Sequence, residues 1–140
     1  MKTTESFRFS DPIRKRTVSA TPEESVRQAL LRKMVEDLGY PKAFIVVEQK
    51  IPHLRRRVDL ICYTNQIDPQ ELLPLLVVEC KAKSSLNKAY EQLLGYNSAL
   101  KAPFLCVANE KEIETFWLEG KEMKRVSFLP VYQELCQLLK

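Results

Sequence analysis

Two acids and a lysine stand in two apolar runs of this chain. Asp59 lies within Val58-Asp59-Leu60-Ile61-Cys62-Tyr63, and Glu79 and Lys81 close Leu75-Leu76-Val77-Val78-Glu79-Cys80-Lys81. Carboxylate oxygens hold hard divalent cations, and an ammonium offsets charge on a phosphate. An Asp…Glu-x-Lys set is therefore the minimum needed for metal-assisted hydrolysis of a phosphodiester. The period of two in a strand puts Val77, Glu79 and Lys81 on one face and Val78 and Cys80 on the other. A hairpin turning near Pro69 sets Asp59 opposite Glu79, with Cβ atoms roughly 5 Å apart. A slip of one residue sends one acid to the other face. Two carboxylates that close repel unless one takes a proton or a cation sits between them. Mg²⁺ suits the pair, with Mn²⁺ as the alternative, because it accepts few carboxylates and keeps its waters. The backbone carbonyl of Cys80, between the two side chains, offers a further oxygen ligand. Lys81 is placed to orient the attacking water or to stabilise the charged transition state. A surface ion pair has the same spacing as Glu79 and Lys81. Against that reading stands Asp59, since an unpaired charge inside an apolar strand is costly.

The flanking elements follow from pattern. Thr21-Pro22-Glu23-Glu24 opens a helix, with Thr21 as cap, Pro22 in the first turn and Glu24 three residues after the cap. Val26, Leu30, Met34 and Leu38 recur at helical spacing, and Gly39 and Pro41 end the run. Phe44–Glu48 reads as a first strand, and the two acid-bearing runs are the second and third. Thr64–Gln70 is polar and reads as the loop between them. Ser84 or Ser85 caps a second helix reaching about Leu100. Pro103–Ala108 is a fourth strand and Glu112–Leu118 an alternating fifth. Gly120-Lys121 makes a turn, and Pro130 opens a C-terminal helix. The order αβββαββα predicts an α/β fold with a mixed five-stranded sheet flanked by helices. Residues 1–20 form an irregular arm, and 21–140 a single domain.

Composition narrows the setting. The chain has 140 residues, 45% hydrophobic and 29% charged, as expected of one ordinary domain. No apolar stretch reaches the ~20 residues of a membrane span. With no signal-like run at the start, a cytoplasmic protein with no membrane partner is expected. Cys62, Cys80, Cys106 and Cys136 are widely spaced, which predicts buried free thiols rather than a zinc site, and the single histidine, His53, is assigned to a loop. A net charge of +4 permits contact with nucleic acid. The basic residues cluster at Arg14-Lys15-Arg16, Arg55-Arg56-Arg57, Lys81 with Lys83 and Lys88, and Lys121 with Lys124-Arg125. The run Arg55, Arg56, Arg57 leads straight into the Asp59 strand and is the best placed to meet a phosphate backbone.

Thr21-Pro22-Glu23-Glu24-Ser25-Val26-Arg27-Gln28, Gly39-Tyr40-Pro41, Arg57-Val58-Asp59, Val78-Glu79-Cys80-Lys81 and Gln92 with Tyr96 together resemble the PD-(D/E)XK, restriction-endonuclease-like nucleases. More narrowly, the chain is similar to the N-terminal nuclease domain of type I restriction enzyme R subunits, over roughly residues 20–118. The resemblance implies a restriction-endonuclease-like core and a DNA substrate. It makes Asp59 and Glu79 metal ligands and Lys81 the catalytic lysine, and it maps the family's helical acid to Glu24. Glu23 is the neighbouring candidate, and Glu24 equally completes a capping box with Thr21. Gln28 follows Glu24 by one turn, and Gln92 and Tyr96 are set beside the active site, positioning DNA. Val58 replaces the proline of the PD signature. No G-x-x-x-x-G-K-[ST] loop occurs, so no ATP-driven motor is expected within the chain.

Three readings follow. The first is a Mg²⁺-dependent deoxyribonuclease, which needs a homodimer or a larger restriction-type assembly to cut both strands. The second is a non-catalytic nucleic-acid-binding or assembly module on the same fold. The third, least favoured, is a protein-binding domain that offers Ile113–Trp117 as an edge strand.

Overall fold

The structure is a computed structural model. It describes residues 8–14, 16–19, 21–52, 54–82 and 85–140, with the backbone alone at 8–10 and 16–19. The expectations for Lys15, His53, Lys83 and Ser84 lie outside the described residues. A two-stranded hairpin, β1 (Arg8–Asp11) and β2 (Arg16–Ser19), replaces the expected irregular arm. Helix α1 (Pro22–Glu36) follows. Next come β3 (Ile45–Lys50), β4 (Arg57–Asp68), β5 (Glu71–Cys80), α2 (Leu86–Leu100), β6 (Phe104–Ala108), β7 (Ile113–Glu119), β8 (Glu122–Val126) and α3 (Tyr132–Leu138).

The main sheet runs β3-β4-β5-β6-β7-β8 in chain order. The β5–β6 pair is parallel and the others antiparallel, so the sheet is mixed and α2 makes the crossover between the parallel strands. The sheet has six strands where five were expected. The sixth, β8, follows the Gly120-Lys121 turn, where Gly120 takes the left-handed φ of +66° that the reversal needs. Its sequence, Glu-Met-Lys-Arg-Val, carries too few apolar residues to announce a strand. With β6 paired from Ile113 to Phe116 and β8 from Thr115 to Glu119, β7 is an interior strand. The expected edge at Ile113–Trp117 is covered on one side throughout and on both at Thr115 and Phe116. Thr64–Gln70 is likewise no loop. The strands continue through it as a projecting hairpin, turning at Pro69-Gln70 with Asp68 paired to Glu71. Asn65, Gln66 and Ile67 are exposed there, where the register shifts between the Thr64–Leu73 and Asp68–Glu71 pairs, so neither burial nor regular pairing marks the segment.

Each face of the sheet has its own core. Val26, Leu30, Leu31 and Met34 of α1 and Leu135 of α3 pack with Leu60, Val78, Cys80 and Cys106. Ala89, Leu93 and Tyr96 of α2 pack with Ile61, Val77, Leu105 and Phe116 on the opposite face. The alternation of Leu60 with Ile61 and of Val78 with Val77 is the period of two at work. Burying leucines as fully as Leu31 and Leu93 contributes roughly 1.5–3 kcal/mol each. All four cysteines are free and buried. Among the described residues no helix is long and apolar enough to cross a membrane.

Candidate functional site

The β4–β5 register pairs Leu60 with Val78 and Ile61 with Val77, so Asp59 and Glu79 come next at the same end and on the α2 face. Past that point the two strands part. The Cys80 N–H donates to Asp59 Oδ2 at 2.7 Å, so a side chain takes the place of a ladder partner. Lys81 continues the Glu79 face, with its Nζ 3.9 Å from Glu79 Oε2, and its N–H donates to the Ala108 carbonyl. The two acids and the lysine do converge.

They open into a cleft of about 420 Å³, also lined by Glu23, Glu48, Arg56, Arg57 and Tyr96. A cleft of about 480 Å³ lies elsewhere, between α1 and the β6–β7 turn, lined by Val26, Leu30, Ile113 and Phe128 among others. It lacks a buried carboxylate pair, so size does not single it out. Arg56 and Arg57 therefore reach the cleft, whereas Arg55 is exposed and does not line it. Of the α2 pair, Tyr96 lines the cleft and Gln92 does not. Burial first, and then the charge of Glu79, pushes the Tyr96 phenol up to about 12, so it is a neutral hydroxyl at ordinary pH.

Glu79 is the anomaly of the site. It is 4% exposed, and its Oε1 is buried with no hydrogen-bond partner among the described residues. The Tyr96 hydroxyl and Gln92 Oε1 share that condition, as does Gln28 Oε1 on the α1 side. Burial and then the neighbouring Asp59 charge raise the Glu79 pKa, against the pull of Lys81. Burial also raises Asp59, opposed by the Cys80 N–H and the Arg27 charge. A buried carboxylate oxygen without a donor costs free energy unless a proton or cation meets it. Oxygen donors in that condition, on two facing acids, fit a hard divalent ion.

The helical acids divide differently from the expectation. Glu23 lines the cleft and Glu24 does not. The Glu24 N–H donates to Thr21 Oγ1, which is half of a capping box. Its carboxylate accepts from Arg27 at 2.6 and 3.1 Å, from Gln28 at 2.9 Å and from Arg14 at 3.0 Å. Gln28 also donates to Asp11 at 2.6 Å, so it is spent on the hairpin and α1 and does not line the cleft. Burial would raise Glu24 and Asp11. The surrounding donors outweigh it and hold both below their ordinary values: Arg27, Gln28 and Arg14 for the first, Arg14 and Ile13 N–H groups with Gln28 for the second.

Three participants carried little sign in the sequence. Arg27 reaches from α1 to Asp59 Oδ1 and to Glu48 Oε1, at 3.1 Å each. Its i, i+3 spacing from Glu24 was the available signal. Glu48 follows an apolar run and stands opposite Asp59, between the Val47–Leu60 and Gln49–Val58 pairs, but its φ of +55° breaks the ladder there. Arg14, from the hairpin, bridges Asp11, Glu24 and Glu48, and nothing in its local sequence pointed to the site.

No curated protein and no solved structure gives a significant match to the chain. Residues 22–130 match the family model described as the type I restriction enzyme R protein N terminus (HSDR_N), and the chain belongs to that family.

Proposed function

We propose that this chain is a divalent-metal-dependent nuclease domain that hydrolyses DNA phosphodiester bonds on a restriction-endonuclease-like, PD-(D/E)XK core. Membership of an R-subunit N-terminal family supports a restriction-related role with DNA as partner. The observation that carries the chemistry is the partnerless, buried Glu79 Oε1 beside Asp59 in a cleft rimmed by Arg56 and Arg57.

Asp59 and Glu79 would hold Mg²⁺, or Mn²⁺ in its place, and the Cys80 carbonyl would offer a third oxygen. A bound ion supplies Lewis-acid polarisation of the phosphoryl group and a more acidic water. The chain's own groups do the rest. The Cys80 N–H fixes the Asp59 carboxylate. Lys81, 3.9 Å from Glu79, orients the attacking water and offsets charge at the phosphorus. Arg56 and Arg57 meet the DNA backbone, and the Tyr96 hydroxyl donates into the cleft. Glu24 acts at one remove, as the anchor for Arg27. One chain carries one such site, so cutting both strands calls for a second copy or a restriction-type assembly.

The test is cleavage of plasmid DNA with Mg²⁺ by wild type, Asp59→Asn and Lys81→Ala, each checked for fold by circular dichroism. Both variants fold and lose cleavage; full activity in a folded Asp59→Asn protein sinks the proposal. One observation favours the non-catalytic module instead: both Asp59 oxygens already accept protein donors. On that reading DNA binding is salt-sensitive and Mn²⁺ binding is absent.

A further inference from the structure

We propose that the Arg27 guanidinium fills the second cation position beside Asp59, so that the site takes one divalent ion and not two. The inference rests on the reading of Asp59 and Glu79 as ligands and goes on to the stoichiometry of that site. Two-metal hydrolytic centres set their ions about 4 Å apart, with acid side chains shared between them. Here a second ion beside Asp59 Oδ1 would need a further acid of the cleft, and the one on the strand next to Asp59 is Glu48. Arg27 stands in that place, with Nη1 3.1 Å from Asp59 Oδ1 and Nη2 3.1 Å from Glu48 Oε1.

Its position is over-determined. The side chain is 10% exposed, and Nη2 also lies 2.6 Å from Glu24 Oε1. Three acids from α1, β3 and β4 thus share one planar fork, a geometry that guanidinium matches and a lone ammonium does not. Glu48 reaches the fork from a left-handed backbone at φ +55°, a conformation that a non-glycine residue keeps only when its surroundings impose it. Arg14 lies 3.7 Å from Glu48 Oε2 and adds a second positive charge on the same side. A divalent ion at that position would face two guanidinium groups. The acids on this side converge on nitrogen rather than on each other. Arg27 is a positioning residue on this account: it presents Asp59 and supplies fixed positive charge.

Mn²⁺ titration of the full chain, by calorimetry and by loss of the free-ion paramagnetic resonance signal, reads the stoichiometry directly. Wild type takes one ion per chain. Glu48→Gln still takes one, with affinity within about threefold of wild type, because Glu48 serves the arginines. Arg27→Gln, if folded by circular dichroism, admits a second ion. Two ions in wild type overturn the inference and leave the Asp59–Glu79 reading standing, as does loss of an ion in Glu48→Gln or a folded Arg27→Gln that still takes one. No ion in wild type overturns the underlying reading itself, and this inference with it.

Discussion

Two clusters of buried charge lie on either side of Asp59, and they are built on opposite terms. Toward the hairpin and α1, Asp11, Glu24 and Glu48 face Arg14, Arg27 and Gln28, and every carboxylate there has donors at hydrogen-bond or ion-pair distance. Toward α2, Glu79 has a lysine at 3.9 Å, and its other oxygen meets no donor among the described residues, next to a tyrosine hydroxyl in the same state. The carboxylates are thus met by donors on one side and left short on the other, and the one polar atom left short on the first side is an amide oxygen, Gln28 Oε1. Saturated charges hold elements together. A short one raises the free energy of the resting protein and keeps capacity for something from outside, the signature of a site that trades stability for function.

The sharpest way to break this contrast is to compare what each side costs when altered. Asp59→Asn and Lys81→Ala lower Mg²⁺-dependent cleavage by roughly 10²-fold or more while both variants stay folded. Equal cleavage would place the chemistry elsewhere. On the saturated side, Arg27→Met leaves three acids without their shared cation and costs on the order of 3–5 kcal/mol of stability in urea titration. A loss below about 1 kcal/mol would show that the network is ornamental. Glu79→Gln runs the other way. Burial, and then the Asp59 charge, raise the Glu79 pKa to about 8. Folding the metal-free protein near neutral pH therefore costs a proton uptake that glutamine does not need. The variant is stabilised by about 1 kcal/mol, and the gain in melting temperature that Mg²⁺ gives wild type is abolished. Destabilisation of similar size would mean that Glu79 is satisfied as it stands.

Acid titration sharpens the same contrast with the smallest effect. Asp11 and Glu24 are held below their ordinary values of 3.8 and 4.5. A carboxyl lowered by folding contributes stability that is complete above its unfolded pKa and lost as pH falls through the folded one. Stability therefore declines below about pH 4, and Asp11→Asn flattens that decline. An unchanged acid limb in Asp11→Asn would remove the hairpin from the network.

What could be read from the sequence follows the range of the forces involved. Strand periodicity brought Asp59, Glu79 and Lys81 together although the register shifts twice between the Pro69 turn and the site, between Cys62 and Tyr63 and between Thr64 and Asp68. Burial of the alternating Leu60, Ile61, Val77 and Val78, rather than the turn, holds the pairing there. The α1 cap at Thr21 and the α2 start at Ser85 were legible because capping is local. The polar stretch Thr64–Asp68 misled because it is extended but exposed and irregularly paired at 65–67, which leaves no strand mark on the side-chain pattern. β8 was hidden because its partner, β7, supplies the apolar surface. Arg14 and Glu48 could not be foreseen: one reaches the site across the hairpin, and the other through a left-handed φ that a glutamate does not advertise. Glu24 shows how a cap position and a charge network can use a single residue, with its backbone serving Thr21 and its carboxylate serving Arg27.

The central claim concerns the gap between Asp59 and Glu79, and an anomalous difference map from crystals soaked in Mn²⁺ interrogates it most directly. The account predicts one peak bridging those two carboxylates, at oxygen-ligand distances, and none between Asp59 and Glu48. Well-ordered Asp59 and Glu79 side chains with no peak between them at saturating Mn²⁺ would contradict it.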